Sequence, residues 1–160
     1  MTSLSNNWQT SWINNAAWLI DLIDELGDTA TDYITEIRSL ADQLLEGDTT
    51  LAEVEEFADT HGVHNLMHLQ EYKTAVDELS EDIVSEFLED FGMDMVEHAP
   101  EMFQGEFANG AEFAESIVDD CYGCGELPTW VQVDWEATWD YALCYDYTIT
   151  DSGYVFNSNY

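Results

Sequence analysis

The sequence predicts an α-rich α+β protein, elongated and modular, with a helical N-terminal region and a small C-terminal domain of helices plus a β-hairpin. Three observations predict it. Apolar residues recur at three- and four-residue spacing through the first hundred positions, as they do on one face of a helix. The spacing changes to strand-like alternation at 147–150 and 154–157, around an Asp151-Ser152-Gly153 turn. The chain has 160 residues, 46% hydrophobic and 13% aromatic, which is enough for one core or for several small modules in a row.

Residues 1–10 are polar and carry no element signal. Trp12, Ala16, Leu19, Ile23 and Leu26 then form a helical packing stripe that Gly27 stops. A second helix is predicted over 29–45, with Tyr33, Ile37, Leu40 and Leu44 as its stripe, Ile34 and Ala41 widening it, and Gly47 ending it. Thr50 with Glu53 three positions on is a capping-box signature. It opens a short helix whose apolar face is Leu51, Val54, Phe57 and Ala58, closed by Gly62. Residues 64–79 read as a less regular helix. Ser80 caps the next, with Ile83, Val84, Phe87, Leu88 and Phe91 inward, Glu81, Asp82, Glu86, Glu89 and Asp90 outward, and Gly92 at its end.

Pro100 predicts a break, which divides the chain into a helical region 1–62, a middle helical region 63–99 and a C-terminal domain 100–160. In that domain a helix over 111–121 buries Phe113, Ala114, Ile117 and Val118. A loop with Gly123, Gly125 and Pro128 follows. Asp134 caps a helix to about 144 that stacks Trp135, Trp139 and Ala142, and the hairpin closes the chain. No internal repeat is evident at this level.

Charge sets the function classes. There are 35 acidic residues against 2 basic ones, Arg38 and Lys73, a formal charge of −33. Residues 101–160 hold 12 of the acids, so the acidity is spread over the chain and is no tail. Direct nucleic-acid binding is excluded, because phosphate contacts need Lys and Arg; anionic membranes are excluded for the same reason. Two uses of the charge remain: a surface that replaces a polyanion such as DNA, or solubility in concentrated salt.

The acidic positions expected to form such a surface are Asp32, Glu36, Glu53, Glu56, Glu81, Asp82, Glu86, Glu89, Asp90, Glu112, Glu115 and Asp119. Asp82, Glu86 and Asp90 fall one helical turn apart, about 6 Å per step along the axis. B-DNA carries one charge per about 1.7 Å of axis, both strands counted.

Other chemistries find little support. No EF-hand loop, phosphate-binding glycine loop, nucleophile elbow or HExxH is present. Paired carboxylates are so abundant that no pair is informative. Cys121-Tyr122-Gly123-Cys124 is a lone CxxC, weak evidence for zinc even with Cys144. His61, His64 and His68 are read as scattered histidines, although the last two would share a helix face. No catalytic residue, metal or cofactor is expected. No basic leader and no membrane-length apolar run is seen, so a soluble cytoplasmic protein is expected.

The C-terminal motifs, in order, are Phe103-Gln104-Gly105-Glu106-Phe107, Phe113-Ala114-Glu115, Leu127-Pro128, Asp134-Trp135-Glu136-Ala137 and the hairpin with Tyr147 and Tyr154-Val155-Phe156. This series resembles the ArdA-type antirestriction proteins of phages, plasmids and transposons, over roughly residues 85–160. The resemblance implies a DNA mimic that occupies the DNA-binding groove of a host type I restriction-modification enzyme, elongated and homodimeric, self-associating through its C-terminal part. Trp130, Trp135, Trp139 and Tyr145 are the interface candidates that follow. The family usually begins with a small strand-containing domain, whereas residues 1–60 here read as helices. A CRISPR effector, which also has a basic DNA channel, is the alternative target.

Overall fold

The computed structural model describes Asp24, Gly27 and residues 40–44, 46–123 and 127–160. The first predicted helix, apart from Asp24, and most of the second lie outside these residues. The fold is an α-rich α+β arrangement with one small antiparallel sheet. The chain divides into two compact units, Met1–Glu71 and Tyr72–Tyr160.

In the first unit, residues 40–44 are helical with Leu40 and Leu44 buried, as their stripe predicts. Gly47 ends that helix at φ +86°, its N–H on the Gln43 carbonyl at 3.0 Å. The capping box forms: the Thr50 N–H donates to Glu53 Oε2 at 2.7 Å, and the Glu53 N–H to Thr50 Oγ1 at 3.3 Å. It opens α1, Leu51–His61, which buries Val54 and Phe57. After Gly62 the chain runs as a 3-10 helix, Val63–His68, and becomes α-helical as α2, Leu69–Glu78. The irregular helix expected over 64–79 is therefore regular only from 69. Val63, Leu66 and Leu69 are spaced by three, the repeat of a 3-10 turn, and Leu66 and Leu69 are buried.

In the second unit, Ser80 caps α3, Glu81–Phe91, its Oγ accepting from the Ile83 N–H at 3.5 Å. Gly92 leads to a 3-10 helix, Met93–His98, and then α4, Ala99–Met102. Pro100 sits in the first turn of α4, where its missing N–H costs no hydrogen bond. The chain continues directly into β1, Phe103–Glu106, a strand missing from the helix-plus-hairpin expectation.

The predicted hairpin is present as β2, Tyr147–Ile149, and β3, Tyr154–Asn157. β3 is the central strand, in the order β1-β3-β2. Phe103 pairs with Phe156 and Gly105 with Val155, with a bulge between that Gly105 accommodates at φ +127°.

The core of this unit is Ala75, Val84, Phe87, Val96, Ala99, Met102 and Phe156, none more than 1% exposed. Phe87 lies against Phe91 and Phe156 at centroid distances of 4.8 and 5.1 Å. A strand residue thus completes the helical core, and residues 72–99 share one unit with 100–160. The two compact units divide between Glu71 and Tyr72, while the sequence places its breaks at 62/63 and 99/100.

Asn109 caps α5, Gly110–Tyr122, which buries Phe113 and Ala114 and half-buries Ile117 and Val118. Asp134 caps α6, Trp135–Tyr141. This helix is shorter than the sequence predicts: Leu143–Tyr145 is a 3-10 turn, and Ala142 is exposed instead of joining the Trp stripe. Gly110 lets α6 approach α5, since a Cβ there would meet the Trp139 indole at 2.2 Å.

The two units contain a repetition that the sequence expectation lacks. Residues 50–69 and 80–99 follow one plan, thirty positions apart: a hydroxyl N-cap, an 11-residue helix, a glycine, a 6-residue 3-10 helix and a return to α-helix. Val54 matches Val84, Phe57 matches Phe87, Leu66 matches Val96 and Leu69 matches Ala99, all buried. Gly62 and Gly92 share the same left-handed backbone, φ +91° and +82°. The residue signal is Val-x-Glu-Phe, a glycine five positions after the Phe and a histidine six further on, at 54–68 and again at 84–98. It is sparse because few positions keep one residue type, and even the buried pairs Leu66/Val96 and Leu69/Ala99 differ.

Candidate interaction surface

Helix amphipathicity puts the carboxylates outside. Apolar residues on α1 and α3 take the core face, which leaves the acidic positions to solvent. Every described acidic residue except Glu71 and Glu86 is exposed. With 35 acids and 2 cations in the chain, ion pairing with Lys and Arg can reach only a small minority of them. Of the expected surface positions, Glu53, Glu56, Glu81, Asp82, Glu89, Asp90, Glu112, Glu115 and Asp119 are exposed. Asp32 and Glu36 lie outside the described residues.

These carboxylates do not all have the same freedom. Glu53 accepts from the Thr50 N–H, and Glu112 accepts from the Ala108 N–H at 2.5 Å while its own N–H donates to Asn109 Oδ1 at 3.0 Å. Both therefore close helix N-termini. Glu86 departs from the outward face expected for it: it is partly buried, and its carboxylate accepts from the Ser152 hydroxyl and, at 3.4 Å, from the Ser152 N–H.

Glu86 brings the hairpin turn onto α3. Glu86, Glu89, Asp90, Ile149, Thr150 and Asp151 line a depression of about 240 Å³. Asp151, absent from the expected surface, joins it this way. No local sequence pattern links positions 66 apart.

Two titrating groups are shifted here, Glu86 by hydrogen bonds and Tyr154 by burial and neighbouring charge. The Ser152 and Thr150 hydroxyls hold the Glu86 carboxyl below its ordinary value, against a smaller opposing effect of burial, and the Ser152 N–H adds to the lowering. Tyr154 is pushed up, first by loss of solvent and then by the Glu106, Glu86 and Asp82 carboxylates. Negative charge from α3 and β1 thus converges on β3.

The aromatic candidates separate. Trp130 is 80% exposed and Tyr145 74%, with Tyr141 at 82%. Trp135 and Trp139 are partly buried. Trp139 covers Gly110 and meets Phe113 edge-on at 6.1 Å, so it serves the packing of α6 on α5.

His64 and His68 lie on the 3-10 helix, where residues four apart do not share a face. Cys121 and Cys144 are exposed free thiols, and Cys124 lies outside the described residues. Among the described residues, no group of three or more His, Cys, Asp or Glu is placed to hold a metal ion, and no helix is long and apolar enough to cross a membrane. Comparison with family models, with curated proteins and with solved structures finds no match.

Proposed function

We propose that this protein is an acidic mimic of duplex DNA that inhibits a host DNA-binding defence complex, acting in the cytoplasm by occupying the complex's DNA groove. The observation that carries this reading is the exposure of the described carboxylates, on helices of a folded chain with 35 acids and 2 cations. Such a surface repels itself at low salt, and a basic groove relieves the repulsion. The resemblance of residues 85–160 to ArdA-type proteins supports a type I restriction-modification enzyme as the target. A CRISPR effector presents a basic channel of the same kind. On this reading the protein binds stoichiometrically and catalyses nothing.

A neutralisation scan tests the reading, with competition against duplex DNA as the readout. Exposed ion pairs contribute about 0–1 kcal/mol each. Single changes at Asp82, Glu89 or Asp90 should weaken inhibition less than about fivefold, whereas the triple D82N/E89Q/D90N should weaken it by more than any single change. One indispensable carboxylate among silent neighbours would instead favour an enzyme. Failure to displace DNA from any restriction or CRISPR complex, together with unfolding in circular dichroism without molar salt, would favour an acidity that serves solubility alone.

The exposed Trp130, Tyr141 and Tyr145 favour self-association through the C-terminal module, since aromatics are enriched in interface cores. Light scattering at micromolar concentration should give a dimer mass, and Trp130→Ser with Tyr145→Ser should shift it toward the monomer. A wild-type monomer would exclude the dimer.

A further inference from the structure

We propose that Glu86 is a positioning residue: its carboxylate latches the hairpin turn to α3 and so sets Asp151 beside Glu89 and Asp90, instead of meeting the partner itself. The proposal rests on the DNA-mimic reading only for the use that this placement serves. The latch concerns the free protein and can be judged without any partner.

The geometry carries it. Glu86 lies on the α3 turn that also supplies Phe87, and Phe87 packs on Phe156 of β3 at 5.1 Å. That aromatic contact fixes the strand. The turn beyond it, Thr150 to Gly153, extends past the core, and Asp151 and Ser152 are exposed. Within the turn, the Gly153 N–H meets the Thr150 carbonyl at 3.0 Å. What ties the turn to α3 is the Glu86 carboxylate, which takes both the hydroxyl and the N–H of Ser152.

Without that acceptor, Asp151 would face Glu89 and Asp90 across the depression with like charges only, and the turn would move away from α3. One carboxylate thus offsets the repulsion among three others. Its equivalent in the first copy of the repeat, Glu56, is exposed. The same residue type serves as surface in one copy and as a tertiary tie in the other.

The pH dependence has a definite sign. A carboxyl held below its ordinary value by native hydrogen bonds stabilises the fold above that value, and the contribution is lost as pH falls through the lowered one. The other groups around the latch are Asp82, Glu89 and Asp90 on α3, Asp151 on the turn, Tyr154 on β3 and Glu106 on β1. Protonating the carboxylates among them relieves repulsion, which favours the compact state. The hydrogen bonds of the latch are therefore lost only in acid below the ordinary carboxylate range, after the repulsion they offset has gone.

Solvent-exchange NMR of the Ser152 amide on the full chain tests this at fixed ionic strength. In Glu86→Ala the amide should exchange about tenfold faster, in line with one lost charge-assisted hydrogen bond. Glu89→Gln and Asp90→Asn should make it exchange no faster, since each removes a like charge facing Asp151. In the wild type its protection, corrected for intrinsic rate, should fall at a pH below the ordinary carboxylate range. Thermal melts give a second readout that survives a poorly folded variant: Glu86→Gln with Ser152→Ala should cost no more than the worse of the two singly.

Additive losses, an unprotected Ser152 amide in the wild type, or equal deprotection by Glu89→Gln would overturn the latch. Competition assays on the same variants report separately on mimicry. A latch without DNA competition would retain this proposal and remove the function.

Discussion

Phe87→Ala should lower the stability of the Tyr72–Tyr160 unit by about 3–5 kcal/mol, the cost of emptying a Phe-sized site in a packed core. Phe87 is fully buried and touches both halves of the unit, with Phe91 stacked on one side and Phe156 edge-on at the other. Its removal opens a cavity where α3 meets β3. Neither element can close it alone, because Val84 on the helix and Val155 on the strand are themselves buried and held.

The loss should appear as a lower denaturation midpoint followed by amide signals of residues 72–160. Salt must be matched between samples, because screening of a −33 charge shifts every midpoint. A loss below about 1 kcal/mol would place the centre of the core elsewhere.

Gly153→Ala should be nearly as damaging for a different reason. The residue has φ +93°, where an alanine is strained by about 1–3 kcal/mol. Its added Cβ would also lie 2.1 Å from the Phe107 carbonyl oxygen. That neighbour is backbone, already engaged because the Phe107 N–H donates to the Gly153 carbonyl at 2.8 Å, so a rotamer change cannot relieve the clash. The expected outcome is loss of the β1–β3 pairing with the helices retained. Far-UV circular dichroism should change little, while the amides of 103–107 and 150–157 lose exchange protection. An unchanged hairpin would show that the turn can be rebuilt without Gly153.

What could be read in advance follows from the range of the signals. α1, α3, α5 and the hairpin were legible because their evidence is local: a cap, an apolar stripe of helical period and a glycine within a dozen positions, or alternation around a turn. Thr50, Ser80 and Asp134 act as the caps the sequence predicts. β1 was not legible, since its four residues include Gly105 and it becomes a strand only beside β3, about fifty positions later. The 3-10 segments were blurred because a three-residue period over six residues passes for an irregular helix. Of the surface, the exposure of the carboxylates was legible from amphipathicity. The separate uses of Glu86 and of Trp139 were not, since each depends on a partner brought in by tertiary packing.

The thirty-residue repetition creates a hazard during folding. Two segments with the same cap, the same glycine and the same buried Val and Phe can each offer near-native contacts to the other's neighbours, and such exchange is a recognised route to traps and swapped pairings. The chain differs where exchange would matter. At the last position of each 11-residue helix the first copy has His61, tilted against Phe57, and the second has Phe91, stacked on Phe87 and edge-on to Phe156. Placing the first copy under β3 would set an imidazole against Phe156 in place of a phenyl ring, with a polar nitrogen to desolvate. Position 61/91 is thus one point at which the two copies differ in aromatic chemistry.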